Sequence, residues 1–143
     1  MSKQEKCKVL LVDDNLDTLD LLEMFLYRDF EIFTAGNGFD GFNVAVKELP
    51  DLVITDIMMP VMDGLEFCRK IKSELLTSHI PVILLTAKVD DETKYKGIET
   101  GADDYIPKPF EMEYLKVRIK NILKSRDQLR KLFQNSVTLE PSA

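Results

Sequence analysis

Short apolar runs alternate with longer segments of helical periodicity along the chain. The apolar runs, which we predict to be strands, are KVLLV at 8–12, EIFTA at 31–35, DLVIT at 51–55, PVILLT at 81–86 and a shorter DYI at 104–106. Because the central runs are apolar throughout and do not alternate with polar residues, they are typical of strands covered on both faces of a parallel sheet.

Between these runs, apolar residues recur three and four positions apart, which indicates helices. The predicted helices cover 16–26, 39–49, 65–75, a more polar 91–99 and a long final segment from Met112 onward. Strands that alternate with helices through short loops predict an α/β, doubly wound, flavodoxin-like (βα)5 fold. We expect a parallel five-stranded sheet in the order 2-1-3-4-5.

Composition and charge narrow the function classes. The chain has 143 residues and a net charge of −6, which suits one domain and argues against a direct nucleic-acid surface. The sequence has no apolar run of membrane-spanning length and no signal peptide at its start. Cys7 and Cys68 lie far apart with no CxxC motif. They indicate reduced thiols and a cytoplasmic location rather than a disulfide or zinc site.

Polar side chains gather at the carboxyl ends of the predicted strands. Asp13 and Asp14 follow the first strand, Asp56 the third, Thr86 ends the fourth and Lys108 follows the fifth. If the first and third strands are neighbours, the three carboxylates converge where ligands of such sheets bind. Crowded carboxylates repel one another, and a hard divalent cation such as Mg²⁺ relieves that repulsion.

A magnesium site that faces a hydroxyl and an amine suits phosphoryl transfer, in which a carboxylate can itself be the nucleophile. Asp56 is the lone acid on the central strand and is our candidate for that role. Met58 can offer its backbone carbonyl to the metal, while Pro60 and Gly64 are turn and helix-start residues.

Three other interpretations stay open at this point. Asp56 can simply end a strand and cap a helix. The segment 36–41 reads G-x-G-x-x-G, and Asp56 lies 20 residues after its first glycine, as in a dinucleotide-binding motif. A phosphatase of the haloacid dehalogenase type also uses an aspartyl nucleophile, although it needs a second acid two residues beyond it. His79, the single histidine, lies in a loop away from the acids, so a phosphohistidine would have to come from elsewhere.

Four motifs in order, LLVDDN, VITDIMMPVMDG, PVILLTAK and GADDYIPKPF, resemble the receiver domain of bacterial two-component response regulators over residues 8 to about 124. The resemblance implies that a kinase phosphohistidine phosphorylates Asp56 in the presence of Mg²⁺. Asp13, Asp14, Asp56 and the backbone of Met58 would bind the metal, with Asp14 the more direct ligand of the acidic pair. Thr86 and Lys108 would contact the phosphoryl group, a cis peptide would join Lys108 to Pro109, and Tyr105 would turn inward as the switch residue.

The same resemblance implies that such a domain catalyses its own phosphorylation and dephosphorylation and acts mainly as a signalling switch. The surface formed by helix four, strand five and helix five would control an output such as transcription. The alternative is a pseudo-receiver that only mediates protein contact.

The last helix is expected to extend beyond the domain. We assign 1–7 to a tail, 8–124 to the receiver domain, and 125–143 to a helix extension and a linker to an output domain absent from this chain. Leu115, Ile119, Ile122, Leu129 and Phe133 follow a heptad-like spacing, with Arg126 at the skipped position. This seam suits a homodimer or a coupling helix. The terminal segment resembles the junction after the receiver of hybrid sensor kinases, where a DNA-binding domain follows.

Overall fold

The computed structural model describes residues 5–87 and 90–139. Its strands are β1 Lys8–Val12, β2 Glu31–Ala35, β3 Leu52–Asp56, β4 Val82–Thr86 and β5 Asp104–Pro107. Every neighbouring pair is parallel, and the sheet order is β2-β1-β3-β4-β5. The expected fold and strand order are therefore confirmed, with β3 shifted by one residue so that Asp56 belongs to the strand and pairs with Leu85.

The helices begin where polar caps stand in the sequence. They are α1 Leu16–Leu26, α2 Gly38–Glu48, α3 Gly64–Ser73, α4 Asp91–Glu99 and α5 Met112–Leu139. The caps of the first four are Asn15, Asn37, Asp63 and Asp90, and each side chain accepts a hydrogen bond from the amide three residues on. These bonds satisfy amides that have no partner within the helix, so local sequence fixes the start of each helix.

Two apolar clusters cover the two faces of the sheet. Val9 and Leu11 belong to the cluster under α1 and α5, whereas Leu10 and Val12 belong to the cluster under α2 and α3. Because successive side chains of a strand point to opposite faces, a strand that is covered on both faces has no position that faces solvent. This arrangement explains the continuous apolar runs. The helix bounds predicted from the apolar spacing were less exact than the strands. We predicted that the third helix reaches residue 75, but α3 ends at Ser73 and Leu75 is 91% exposed.

The G-x-G-x-x-G segment has a packing role. A Cβ atom at Gly38 would lie 2.8 Å from the carbonyl oxygen of Met62, and one at Gly41 would lie 3.0 Å from the side chain of Val12. The glycines let the start of α2 approach the β3–α3 loop and the core closely.

The long α5 changes environment along its length. Leu115 and Ile119 are fully buried, whereas Leu129 is 67% and Phe133 is 70% exposed. The helix therefore continues as an apolar seam beyond the part that packs on the sheet, and the domain boundary near 124 stays a prediction. Within the described residues, no helix is long and apolar enough to cross a membrane.

Candidate functional site

Three carboxylates meet at the carboxyl ends of β1 and β3. Each of Asp13, Asp14 and Asp56 offers an oxygen that lies within 4.8 Å of the other two. Asp13 and Asp56 are buried, at 3% and 9% exposure, and Asp14 is exposed to solvent. The convergence arises because β1 and β3 are adjacent and parallel, so their carboxyl ends share one edge of the sheet.

Lys108 reaches this cluster from the loop after β5. Its Nζ lies 3.3 Å from Asp56 Oδ1 and 3.6 Å from Asp13 Oδ2. The Lys108 amide donates to the Thr86 carbonyl at 2.7 Å, which ties the loop to the end of β4. The expected cis peptide between Lys108 and Pro109 is present. The sequence placed this lysine at the correct edge, and the structure brings it into contact with two of the acids.

The charges of the cluster are incompletely balanced. Burial raises the pKa of Asp56; Lys108 lowers it and Asp13 raises it further. Burial also raises the pKa of Asp13, with the Asn15 amide and Lys108 acting in the opposite direction. Among residues 5–87 and 90–139, one ammonium group faces the three carboxylates, which leaves excess negative charge at neutral pH. Because all the donors are hard oxygen atoms, the residues present fit Mg²⁺.

Thr86 and Tyr105 connect this edge to α4. Thr86 is fully buried at the end of β4, and Tyr105 lies on the neighbouring strand β5. Burial is the main cause that raises the pKa of Tyr105, and the carboxylate of Asp90 adds to it. A Cβ atom at Gly97 of α4 would lie 3.1 Å from the Tyr105 ring. Tyr105 is thus half-buried against α4, on the strand next to the one that carries Thr86.

The loop after Asp56 separates its two methionines. Met59 is buried, whereas the side chain of Met58 is 62% exposed. The side chain of Met58 therefore points away from the core, and a role of its backbone carbonyl in binding a metal stays a prediction.

Sequence reasoning missed three residues beside the carboxylates. The Asn15 amide donates to Asp13 Oδ1 at 2.9 Å, and the Thr55 hydroxyl donates to the Asp56 carbonyl at 2.9 Å. Gly64, which we interpreted only as a helix start, lies directly against the Asp56–Ile57 peptide. An asparagine directly before a helical segment is a signal that could have identified Asn15 as a cap, but nothing in the local sequence indicated the contacts of Thr55 and Gly64.

The fold and the site together define an open α/β domain with an acidic, lysine-paired site at the point where the strand order reverses. The family model described as the response regulator receiver domain matches residues 9–120, and the chain belongs to this family. Receiver domains accept phosphoryl groups in two-component signalling and interact with histidine kinases. The matched residues include all four motifs on which the resemblance rests.

Three similar proteins illustrate the relationship. Histidine kinase P4 of Formosa agariphila is 41% identical over 99% of this chain, which spans 10% of that kinase. Response regulator ArlR of Staphylococcus aureus is 38% identical over 95% of this chain, which spans 61% of that regulator. The BeF3-activated DrrB receiver domain, from a Thermotoga maritima protein, superposes with a TM-score of 0.77 and 38% identity, covering 83% of this chain and 98% of that chain. The chain thus spans less than two thirds of either sequence relative.

Proposed function

We propose that Asp56 is the residue of this receiver domain that accepts the phosphoryl group. The observation that carries the proposal is its position: Asp56 ends the central strand, buried, beside two further acids and 3.3 Å from the Lys108 ammonium. A carboxylate oxygen of Asp56 would attack the phosphorus of a kinase phosphohistidine. A new O–P bond would form, and the electron pair of the broken P–N bond would return to the imidazole.

Asp13, Asp14, Asp56 and the backbone carbonyl of Met58 would hold Mg²⁺. When bound, the cation would neutralise charge on the carboxylates and on the transferred phosphoryl oxygens. Support comes from the donor set, three carboxylates with oxygens within 4.8 Å of one another. Lys108 would stabilise the same negative charge, because its ammonium already lies within 3.6 Å of both Asp13 and Asp56.

The proposed switch runs from Asp56 to α4. The phosphoryl group adds negative charge and hydrogen-bond acceptors, and the Thr86 hydroxyl at the neighbouring strand end would move toward it. Tyr105, on the neighbouring strand β5, would fill the space that Thr86 leaves. The change would shift the population of two packings of the face formed by α4, β5 and α5.

Replacing Lys108 with alanine is expected to slow labelling of Asp56 about tenfold and to abolish the change at this face. Without the ammonium group, the phosphorylated carboxylate keeps its charge but has no partner that links it to the β5–α5 loop. Intact mass after exposure to a small acyl phosphate measures labelling, and amide hydrogen exchange over α4 and β5 measures the switch.

Lys116→Ala is the matched control for that experiment, because Lys116 lies on α5 and pairs instead with Asp29 at 3.0 Å. It should leave both readouts unchanged. A Lys108→Ala chain that still shows the full exchange response would show that the lysine is not part of the switch.

The alternative is a pseudo-receiver that only mediates contact with another protein. The presence of all three acids, Thr86 and Lys108 at one edge argues for phosphoryl acceptance instead. Mg²⁺-dependent uptake from a small acyl phosphate, read by intact mass, separates the two functions. The lifetime of the adduct in the same assay tests whether the domain also catalyses its own dephosphorylation.

For the whole protein, we propose a hybrid sensor kinase with an output domain beyond this chain, in keeping with the match to Histidine kinase P4 over a tenth of that protein. The end of α5, residues 125–139, would act as the connector, because its seam residues Leu129 and Phe133 are largely exposed.

If the seam pairs two copies, a Leu129→Ser, Phe133→Ser double variant is expected to sediment as a monomer at concentrations where the wild type forms dimers. The free energy of unfolding should change by less than about 0.5 kcal/mol per site, since both side chains are mostly exposed. Val117→Ser is the matched control, because Val117 is also an exposed apolar residue of α5, at 51%, and lies on the face of the helix opposite the seam. A wild type that stays monomeric throughout refutes the dimer.

A further inference from the structure

The peptide that joins Asp56 to Ile57 is bonded to β4, because the Ile57 amide donates to the Leu85 carbonyl at 3.1 Å, and it is also held by Thr55 and Gly64. The buried Thr55 hydroxyl donates to the Asp56 carbonyl at 2.9 Å. Gly64, the first residue of α3, lies against the same carbonyl and donates its amide to the Ile57 carbonyl at 2.8 Å. We propose that Thr55 and Gly64 form a clamp that sets the position of the Asp56 carboxylate and of the Met58 carbonyl. This inference rests on the proposed roles of those two groups.

Space, and not backbone conformation, requires glycine at position 64. The φ angle of Gly64 is not positive, so an L-residue could adopt its conformation. A Cβ atom there, however, would overlap the Asp56 carbonyl oxygen and lie 2.8 Å from the Ile57 Cα. Any larger residue must push the end of β3 away from α3. The close approach therefore fixes the end of the strand that carries the candidate nucleophile.

Thr55 acts from within β3. It is fully buried, and it shares its face of the strand with Val53, part of the cluster under α2 and α3. A buried hydroxyl here costs free energy unless it forms a hydrogen bond, and its bond to the Asp56 carbonyl orients that peptide together with the bond from the Ile57 amide to β4. Asp56 and Met58 flank Ile57, so orienting the peptide orients two of the four proposed metal ligands. Thr55 and Gly64 are thus positioning residues.

The test compares Thr55→Val, which keeps the shape and loses the donor, with Thr55→Ser, which keeps the donor. Thr55→Val is expected to weaken binding of Mg²⁺ alone, measured by calorimetry, and to slow labelling at saturating Mg²⁺, each about tenfold. Thr55→Ser should restore both to within about twofold, because the hydroxyl and not the methyl group orients the peptide.

Thr77→Val is the matched control, because Thr77 is equally buried and donates its hydroxyl to the Ile71 carbonyl at 2.8 Å, away from the acids. It should lower the midpoint of thermal unfolding as much as Thr55→Val does while leaving Mg²⁺ affinity and labelling unchanged. Gly64→Ala is expected to reduce labelling about a hundredfold. If that variant fails to fold, the threonine series still decides the question.

The clamp is refuted if Thr55→Val binds Mg²⁺ and takes up phosphoryl groups like the wild type. It is also refuted if Thr77→Val loses as much as Thr55→Val, since the effect would then follow from stability alone. A wild-type chain that takes up no phosphoryl group at Asp56 would instead refute the proposed function, and the Mg²⁺ affinities of the same variants would still test the clamp.

Discussion

Replacing Asp56 with asparagine is expected to abolish covalent uptake of a phosphoryl group. The amide has no carboxylate oxygen to form the acyl phosphate, and the neighbouring acids are held in other positions, Asp13 by the amide of Asn15. Intact mass after incubation with Mg²⁺ and a small acyl phosphate should show one added phosphoryl group on the wild type and none on Asp56→Asn.

Asp63→Asn is a suitable control for that experiment. Asp63 lies in the same loop and caps α3 by accepting a hydrogen bond from the Glu66 amide at 2.8 Å. Asparagine caps helices about as well as aspartate, so this variant should fold and take up the phosphoryl group like the wild type. Labelling that persists in Asp56→Asn would show that another acid of the cluster is the nucleophile.

Replacing Asp13 with asparagine is expected to have two opposite effects. Loss of a proposed ligand should weaken Mg²⁺ binding and slow labelling, each by about a hundredfold. The metal-free protein should nevertheless become more stable by about 1 kcal/mol, which corresponds to roughly 3 °C in the unfolding midpoint. The gain arises because one carboxylate of a crowded, buried group is removed, while asparagine can still accept the hydrogen bond from the Asn15 amide.

The pH dependence follows from the direction of the pKa shifts. Burial raises the pKa of Asp13 and Asp56 in the folded state, so the folded protein binds protons more tightly than the unfolded chain at these sites. The charged cluster therefore lowers the free energy of unfolding increasingly as the pH rises through the raised pKa values. This destabilisation by the charged carboxylates disappears when the pH lies below the ordinary aspartate pKa of about 3.9. The stabilising effect of Asp13→Asn should thus be full at pH 8 and shrink as the pH falls toward 4.

Thermal unfolding in a chelator and in Mg²⁺ measures both effects. A concentration of Mg²⁺ about 100 times its dissociation constant should stabilise the wild type by about 2.7 kcal/mol, and the same concentration should stabilise Asp13→Asn far less. Asp20→Asn, an exposed acid on α1, should respond like the wild type. An Asp13→Asn chain with undiminished Mg²⁺ stabilisation would remove Asp13 from the metal site.

The sequence by itself determined the strands, the helices and the edge of the sheet at which the chemistry lies. Strand and helix periodicities are local, and so are caps such as Asn37 and Asp90, which need only the amide three residues away. The assignment of Asp13, Asp56 and Lys108 to strand ends followed directly from those periodicities. The four motifs then identified the family, which the match over residues 9–120 confirms.

Only the tertiary structure decided which of these groups touch and what holds them. The ion pair between Lys108 and Asp56 joins the loop after β5 to the end of β3, and its length depends on how the loops after β3 and β5 pack. The need for glycine at position 64 is set by the backbone of Asp56 and Ile57, which no local pattern reveals. Burial likewise depends on what packs against a helix. Ile119 and Leu129 both belong to the heptad-like seam of α5, but Ile119 is buried and Leu129 is exposed. Contacts between distant segments are a property of the assembled chain, and the sequence encodes them only through the fold.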